Sequence, residues 1–209
     1  MDADAVSVQF TSDESAARYY LDALLQHDGR PAVRSIVEPE SPQRVPGLVV
    51  ESEREVRPLH TRQVRFTQTH QTIPVFGSGA VVELTPNRDL VSVTAELDTV
   101  TGVDPVESLS RGEALQKVEE YTGTTIPPEA GVGGHLTFYK ADDAPDGAQA
   151  WHLAWLFPGL PAAPPEDASE PPEQPAEALE GHGLGPRPGP TSVTYLVDAH
   201  DGSILFHFS

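Results

Sequence analysis

The chain has 209 residues, of which 32 are acidic and 13 are basic, and its formal net charge at pH 7 is −19. Proteins bind nucleic acids and anionic membrane surfaces through patches of Lys and Arg, so this balance argues against both partners and suits a basic or metal-bearing protein. There is no cysteine, which excludes disulfides and thiolate zinc sites.

No targeting or membrane segment is visible. The first twenty residues lack the basic start and the apolar core of a signal peptide, and no apolar run reaches the roughly 18 residues of a membrane span. We therefore expect the chain as written to be soluble and cytoplasmic, and secreted if it was excised from a longer exported protein. The acidic balance also fits a second interpretation, as an ordinary solubilising surface.

The first half of the chain predicts one helix followed by an antiparallel meander. The helix spans residues 12–25, with Ser12 or Thr11 as its N-cap, acidic residues in its first turn and an apolar stripe at helical spacing. Alternating apolar and polar residues predict the strands, and a turn is expected at 86–89. The predicted strands are residues 47–50, 62–69, 75–84 and 90–97.

Residues 64–84, VRFTQTHQTIPVFGSGAVVEL, form the most distinctive stretch. Its two strand-patterned runs are joined through Pro74 and Gly77, and Gly77 and Gly79 predict a bulge or a sharp bend within the second run. The stretch resembles the propeptide domain of the thermolysin and fungalysin metalloproteases, in which an Arg-Phe-x-Gln-Thr strand leads into a Gly-Ile-Pro-Val-Phe-Gly turn and a Val-Val return strand. Thr72 departs from the pattern, since the family usually has glycine there. The matching positions are Arg65, Phe66, Gln68, Thr69, Ile73, Pro74, Val75, Phe76, Gly77, Val81 and Val82.

The second half repeats the order of a helix followed by strands. Ser110 and Glu113 predict a capping box for a helix that ends at Gly123. Asp201-Gly202 lies between two apolar runs and predicts a hairpin. The predicted strands are residues 135–140, 150–157, 192–198 and 204–208. This half resembles a PepSY-type domain, which comes second in thermolysin-family pro-regions and carries a Val-Asp-Ala-x-x-Gly hairpin.

Residues 158–190 differ in composition from the rest of the chain. They hold ten of the 21 prolines, six acidic residues and almost no large apolar side chains. Such a segment buries too little surface to offset the entropy lost on ordering, so we predict a disordered hairpin insertion. A proline-rich docking segment is the alternative.

Taken together, the elements predict an α+β protein of two small domains, each a helix packed on an antiparallel sheet. Residues 1–100 are predicted to form the propeptide-like domain. Residues 101–209 are predicted to form the PepSY-like domain, with the insertion inside it. The resemblance implies cystatin-like and PepSY-like folds for the two.

The sequence contains no recognisable catalytic constellation. A zinc protease needs two histidines one helical turn apart with a glutamate between them, and no HExxH is present. A Gly-x-Ser-x-Gly elbow and a phosphate-binding loop are also missing. We therefore predict that the chain is not an enzyme and uses no metal or cofactor. The histidines are dispersed, and His152 is interpreted as an ordinary sheet residue: they are His27, His60, His70, His135, His152, His182, His200 and His207.

The resemblance implies that the partner is the catalytic domain of a thermolysin-like zinc metalloprotease. A partner surface is then expected on the first motif and on the end of the chain. The terminal residues either form a last strand or reach the protease cleft, with a phenylalanine in an apolar pocket and an imidazole or carboxylate near the zinc. In the first motif, core positions are the alternative, above all for Val75 and Phe76. The predicted partner-binding residues are Ile73, Pro74, Val75, Phe76, Phe206, His207, Phe208 and Ser209.

Two functions remain open at this point. The first is a stand-alone or excised propeptide that assists folding of a thermolysin-like protease and inhibits it. The second is a non-proteolytic intracellular module that uses the same scaffold to bind peptides or proteins.

Overall fold

The computed structural model describes residues 9–27, 47–141, 150–162 and 192–209. The chain divides into two compact units, Met1–Gly102 and Val103–Ser209. In the described part, each unit has one α-helix and four antiparallel strands, which confirms the predicted α+β class.

The first unit is a meander in which each strand pairs with the next one along the chain. Its elements are α1 (Asp13–His27), β1 (Gly47–Val56), β2 (Thr61–His70), β3 (Ile73–Leu84) and β4 (Leu90–Glu96). Apolar residues from one face of α1 pack against alternate residues of the sheet. This core consists of Ala16, Ala17, Leu21, Leu25, Leu48, Val64, Phe66, Ala80, Val82 and Leu84.

The start of α1 is fixed by a cap and two ion pairs. The Ser12 hydroxyl accepts a hydrogen bond from the N–H of Ser15 at 3.1 Å, which satisfies one of the free amides of the first turn. Asp13 lies 2.9 Å from Arg62 and 3.0 Å from Arg88. One carboxylate therefore ties the helix to β2 and to the turn before β4.

The second unit is also a meander of consecutive strands. Its elements are α2 (Arg111–Thr122), a 3₁₀ helix (Pro128–Gly133), β5 (His135–Ala141), β6 (Ala150–Leu160), β7 (Val193–Asp198) and β8 (Ile204–Phe208). The core beneath α2 consists of Ala114, Leu115, Val118, Ile126, Phe157, Leu160, Val193, Tyr195 and Val197.

The predicted ends of α2 are confirmed. Ser110 and Glu113 form a reciprocal capping box, and Gly123 ends the helix in the left-handed conformation at φ 63°. The hydrogen bonds that the Glu113 carboxylate accepts from Ser110 lower the pKa of Glu113.

Two boundaries differ from those expected. β1 continues to Val56, because the polar run Glu51–Glu55 pairs with β2 through its backbone and so remains a strand. β6 continues to Leu160, which places residues 158–160 of the predicted insertion in the sheet. Residues 163–190 of that insertion lie outside the described residues. None of the helices in the described ranges is both long and apolar enough to cross a membrane.

Candidate partner-binding site

The connection between the two strands does not lie at Pro74 and Gly77, as expected, because the chain reverses earlier. His70 pairs with Ile73, so Gln71 and Thr72 form a two-residue hairpin turn with φ of 51° and 71°. Positive φ at both positions is the geometry of a type I′ turn. Pro74 instead lies near the start of β3, where a missing N–H is tolerated.

Thr72 is the position at which the family usually has glycine, and its backbone explains that preference. In a β-branched residue, a φ of 71° brings the side chain close to the backbone, whereas glycine adopts it freely. The first motif therefore contains a strained residue at the tip of its hairpin.

A large bulge follows the turn in β3, at the two glycines for which the sequence predicts one. Thr67 pairs with Gly79 and Thr69 pairs with Pro74, so two steps along β2 span five along β3. Gly77, at φ 76°, bends the bulged strand, and a Cβ at Gly79 would overlap the carbonyl oxygen of Phe66. Both glycines are needed for this geometry.

Gln68 of the motif lies opposite the bulge and is 1% exposed. Its Nε2 donates to the Asp98 carbonyl oxygen at 2.6 Å, and the Asp98 N–H donates to its Oε1 at 2.9 Å. The Ser78 hydroxyl donates to the Asp98 carboxylate at 3.0 Å. The motif glutamine therefore attaches the chain just after β4 to the bulge, and its role is structural.

Phe66 of the motif is buried beneath α1. The Arg18 guanidinium lies 5.0 Å from its ring centroid, and Arg18 also donates to the Leu48 carbonyl oxygen and pairs with Glu14. A cation over an aromatic face adds about 0.5–1 kcal/mol at a partly exposed site. This residue also supports the fold and does not form a surface.

The four predicted contact residues of the first motif do not share one environment. Val75 is 1% exposed and belongs to the interior, whereas Ile73, Pro74 and Phe76 are half-buried. These three side chains are partly accessible at the surface, whereas Val75 is not.

The predicted residues at the end of the chain are on the surface. Phe206 and Phe208 are 43% and 40% exposed, and His207 and Ser209 are exposed as well. Residues 204–208 form β8, as the strand interpretation expects. The two sets of predicted residues fall in different units.

The side chains of β8 alternate between the two faces of the sheet. His207 lies 5.8 Å from Tyr195 and 5.9 Å from Tyr121 of α2, measured between ring centroids, and so faces the helix. Phe206 stacks on Tyr139 at 6.0 Å on the opposite face. Because Tyr139 is on β5 and Phe206 on β8, the four-stranded sheet curls strongly on that face.

A polar cluster at the β7–β8 hairpin was missed by the sequence reasoning. Asp198 is 5% exposed and accepts hydrogen bonds at one carboxylate oxygen from the N–H groups of His200 (2.7 Å) and Asp201 (3.1 Å). Its other oxygen lies 2.7 Å from Nδ1 of His152. His152 is therefore the partner of a buried carboxylate. The Asp in the Val-Asp-Ala-x-x-Gly pattern was the available signal.

The same hairpin is joined to the segment before α2. The N–H groups of Ser108 and Leu109 donate to the Ala199 carbonyl oxygen at 3.0 and 2.9 Å, and His200 Nε2 lies 3.1 Å from the Val106 carbonyl oxygen. The N–H of Ser203 donates to the Asp201 carboxylate at 2.8 Å and lowers the pKa of Asp201. Within the described ranges, no group of three or more His, Asp or Glu side chains could hold a metal ion.

Comparison with known proteins gives a family match and several similar structures. The sequence model of the Fungalysin/Thermolysin Propeptide Motif matches residues 47–97, from the start of β1 to just past β4. No curated protein matches the sequence. The Bacillus megaterium YpeB C-terminal domain is similar over 100% of this chain and 69% of that one, at 10% identity and a TM-score of 0.39. The β2–β3 hairpin, with its buried Gln68 and Phe66, thus lies within the residues that match the propeptide motif, which confirms the predicted resemblance of residues 64–84.

Proposed function

We propose that this chain is a metalloprotease propeptide that assists the folding of a thermolysin-like zinc protease and inhibits it. The observation that carries the proposal is the propeptide motif at residues 47–97, folded as a complete helix-and-sheet unit with α1. The PepSY-type resemblance of the second unit adds to it.

Assistance in folding follows from the rigidity of such a body. Folds that depend on pairing between distant residues are slow to form, because loop-closure entropy is lost before the contacts are gained. A preformed partner surface reduces that cost by holding the pieces of the protease in their native arrangement. The hydrogen bonds between Gln68 and Asp98 and the ion pairs of Asp13 hold the first sheet together, as this role requires.

Inhibition is assigned to the exposed end of the chain. Phe206 and Phe208 offer aromatic side chains to an apolar pocket, and both are at least 40% exposed. The His207 imidazole is of a chemical class that binds zinc, and Ser209 lies exposed beside it. The half-buried side chains of Ile73, Pro74 and Phe76 supply a second, separate contact.

Catalysis is left to the partner. The cluster around Asp198 is engaged in holding the β7–β8 hairpin, and its carboxylate is already bonded to His152 and to two backbone N–H groups. A protein that binds a protease and has no proteolytic activity of its own is consistent with the propeptide motif, and this role requires no active site in the chain.

The test is refolding of a denatured thermolysin-like catalytic domain from the same source, with and without this chain. We expect a higher yield of active enzyme once the chain is removed, and lower proteolysis while it is present. If neither quantity changes at micromolar protein, the proposal fails for that protease, and the non-proteolytic binding module becomes the better account.

A further inference from the structure

We propose that the outer edge of β8 binds an extended segment of the protease by strand addition, a step that rests on the proposed function. β8 is the last strand in the sheet order, and β7 is its neighbour on one side. Along any strand, the N–H and C=O groups point alternately to the two sides. The groups of β8 that point away from β7 can therefore pair with an incoming strand.

The edge carries none of the charged residues or prolines that usually discourage such pairing. β1, at the end of the first unit's sheet, carries four charged residues in the run Glu51–Glu55, and charges of this kind block edge-to-edge contacts. β8 reads ILFHF, with no Lys, Arg, Asp, Glu or Pro. It has one irregularity at Leu205, and Phe206–Phe208 pair regularly with β7 beyond it.

The side chains around this edge define the residues that an added strand must present. On one face, Phe206 stacks on Tyr139 and lies 5.7 Å from Phe208, so an incoming residue there meets aromatic rings. On the other face, His207 contacts Tyr121, which is 49% exposed. Apolar side chains are therefore favoured at the alternate positions of the partner segment that lie on the face of Phe206 and Phe208.

The net charge of the chain indicates which charge the partner segment should carry. A net charge of −19 attracts a basic partner and repels an acidic one. The occupant to which we commit is therefore an extended stretch of the protease catalytic domain with apolar residues at alternate positions and Lys or Arg near them. Main-chain hydrogen bonds supply affinity in this mode of recognition, and the aromatic faces supply selectivity.

The experiment measures inhibition of the catalytic domain by the wild type and three variants. Phe206→Lys places a charge on the edge, and Phe206→Thr removes the ring while keeping a residue that favours strands. Val91→Lys is the matched control, because Val91 is 49% exposed on β4, an end strand without aromatic residues. Loss of a central aromatic contact should raise the inhibition constant at least about tenfold for both Phe206 variants, and the control should stay within about twofold of the wild type.

Hydrogen exchange on the complex separates strand addition from a side-chain contact. We expect the amide of His207, whose N–H points away from β7, to exchange more slowly in the complex than in the free chain, in the wild type and in V91K. If the Phe206 variants inhibit as well as the wild type does, or if the His207 amide gains no protection, strand addition is wrong while the propeptide function stands. If the wild type neither binds nor inhibits the protease, the proposed function fails and this inference fails with it. Thermal unfolding of each variant checks that the fold is kept, and F206T provides the decisive comparison if F206K unfolds.

Discussion

Gln68 and Asp98 are joined by two hydrogen bonds, one from the Gln68 side-chain amide to the Asp98 carbonyl oxygen and one from the Asp98 N–H to the Gln68 side-chain oxygen. The pair joins β2 to the chain just after β4, next to the bulge in β3. The glutamine of the propeptide motif thus has a role in holding the fold.

Replacing Gln68 by leucine should destabilise the first unit. The substitution keeps an apolar stem but removes these partners from the N–H and C=O of Asp98, which is half-buried, and the loss of such a partner costs about 1–3 kcal/mol when the group is shielded from water. We expect the free energy of unfolding to fall by about 2–4 kcal/mol in urea titrations. Gln63→Leu, on the same strand but nearer the surface, is the control, with an expected change of about 0.5 kcal/mol or less.

Replacing Thr72 by glycine should stabilise the protein. Left-handed backbone costs a β-branched residue about 1–2 kcal/mol, and the greater freedom of glycine in the unfolded chain offsets about 0.5–1 kcal/mol of the gain. A rise in the unfolding free energy of about 0.5–1 kcal/mol follows. Thr94→Gly, at an exposed position of β4, should instead lower stability. Equal destabilisation by both substitutions would contradict the strain at the hairpin tip.

Removing the carboxylate of Asp198 should loosen the β7–β8 hairpin. Charge-assisted hydrogen bonds contribute about 1.5–3 kcal/mol each, although neighbouring bonds are not additive, so Asp198→Ala should cost at least about 2 kcal/mol. His152→Ala should cost less, because the carboxylate keeps the two backbone N–H groups. Urea titrations of both variants test the order, and a larger loss from His152→Ala would show that the carboxylate is not the centre of the cluster.

Asp201 should give the hairpin a pH dependence at the acid end. The Ser203 N–H lowers the folded-state pKa of Asp201 below its unfolded value, so the carboxylate stabilises the fold above the unfolded pKa of about 4. That contribution is lost as pH falls through the folded pKa. The melting temperature of the wild type should therefore exceed that of Asp201→Asn at neutral pH, and the difference should shrink below about pH 4. A difference that grows on acidification would reverse the sign of this linkage.

The sequence predicted the helices and the order of strands because caps and periodicity are local signals. Ser110 and Glu113 lie three residues apart, and Gly123 ends the same helix, so all the signals that define this helix lie within one short segment. Placement of the β2–β3 turn failed for a local reason as well. Gln71-Thr72 is an unusual pair for a type I′ turn, and the strong turn formers Pro74 and Gly77 lie just beyond it.

The environments of the functional residues could not be predicted, because they depend on contacts between distant parts of the chain. His152 meets Asp198 only through the pairing of β6 with β7, 46 positions apart in sequence. Val75 and Pro74 are neighbours in one motif, yet Val75 is buried and Pro74 half-buried, because the bulge sets their directions.

The most direct measurement is a calorimetric titration of the zinc-loaded catalytic domain with the purified chain, with proteolysis of casein followed in parallel. A propeptide-type inhibitor should bind in a saturable one-to-one complex, suppress casein cleavage as the complex fills, and cleave no casein when it is alone. Absence of binding at micromolar concentration, or hydrolysis by the chain alone that disappears when His152 is replaced, would contradict the proposal that this protein binds a separate protease and performs no catalysis.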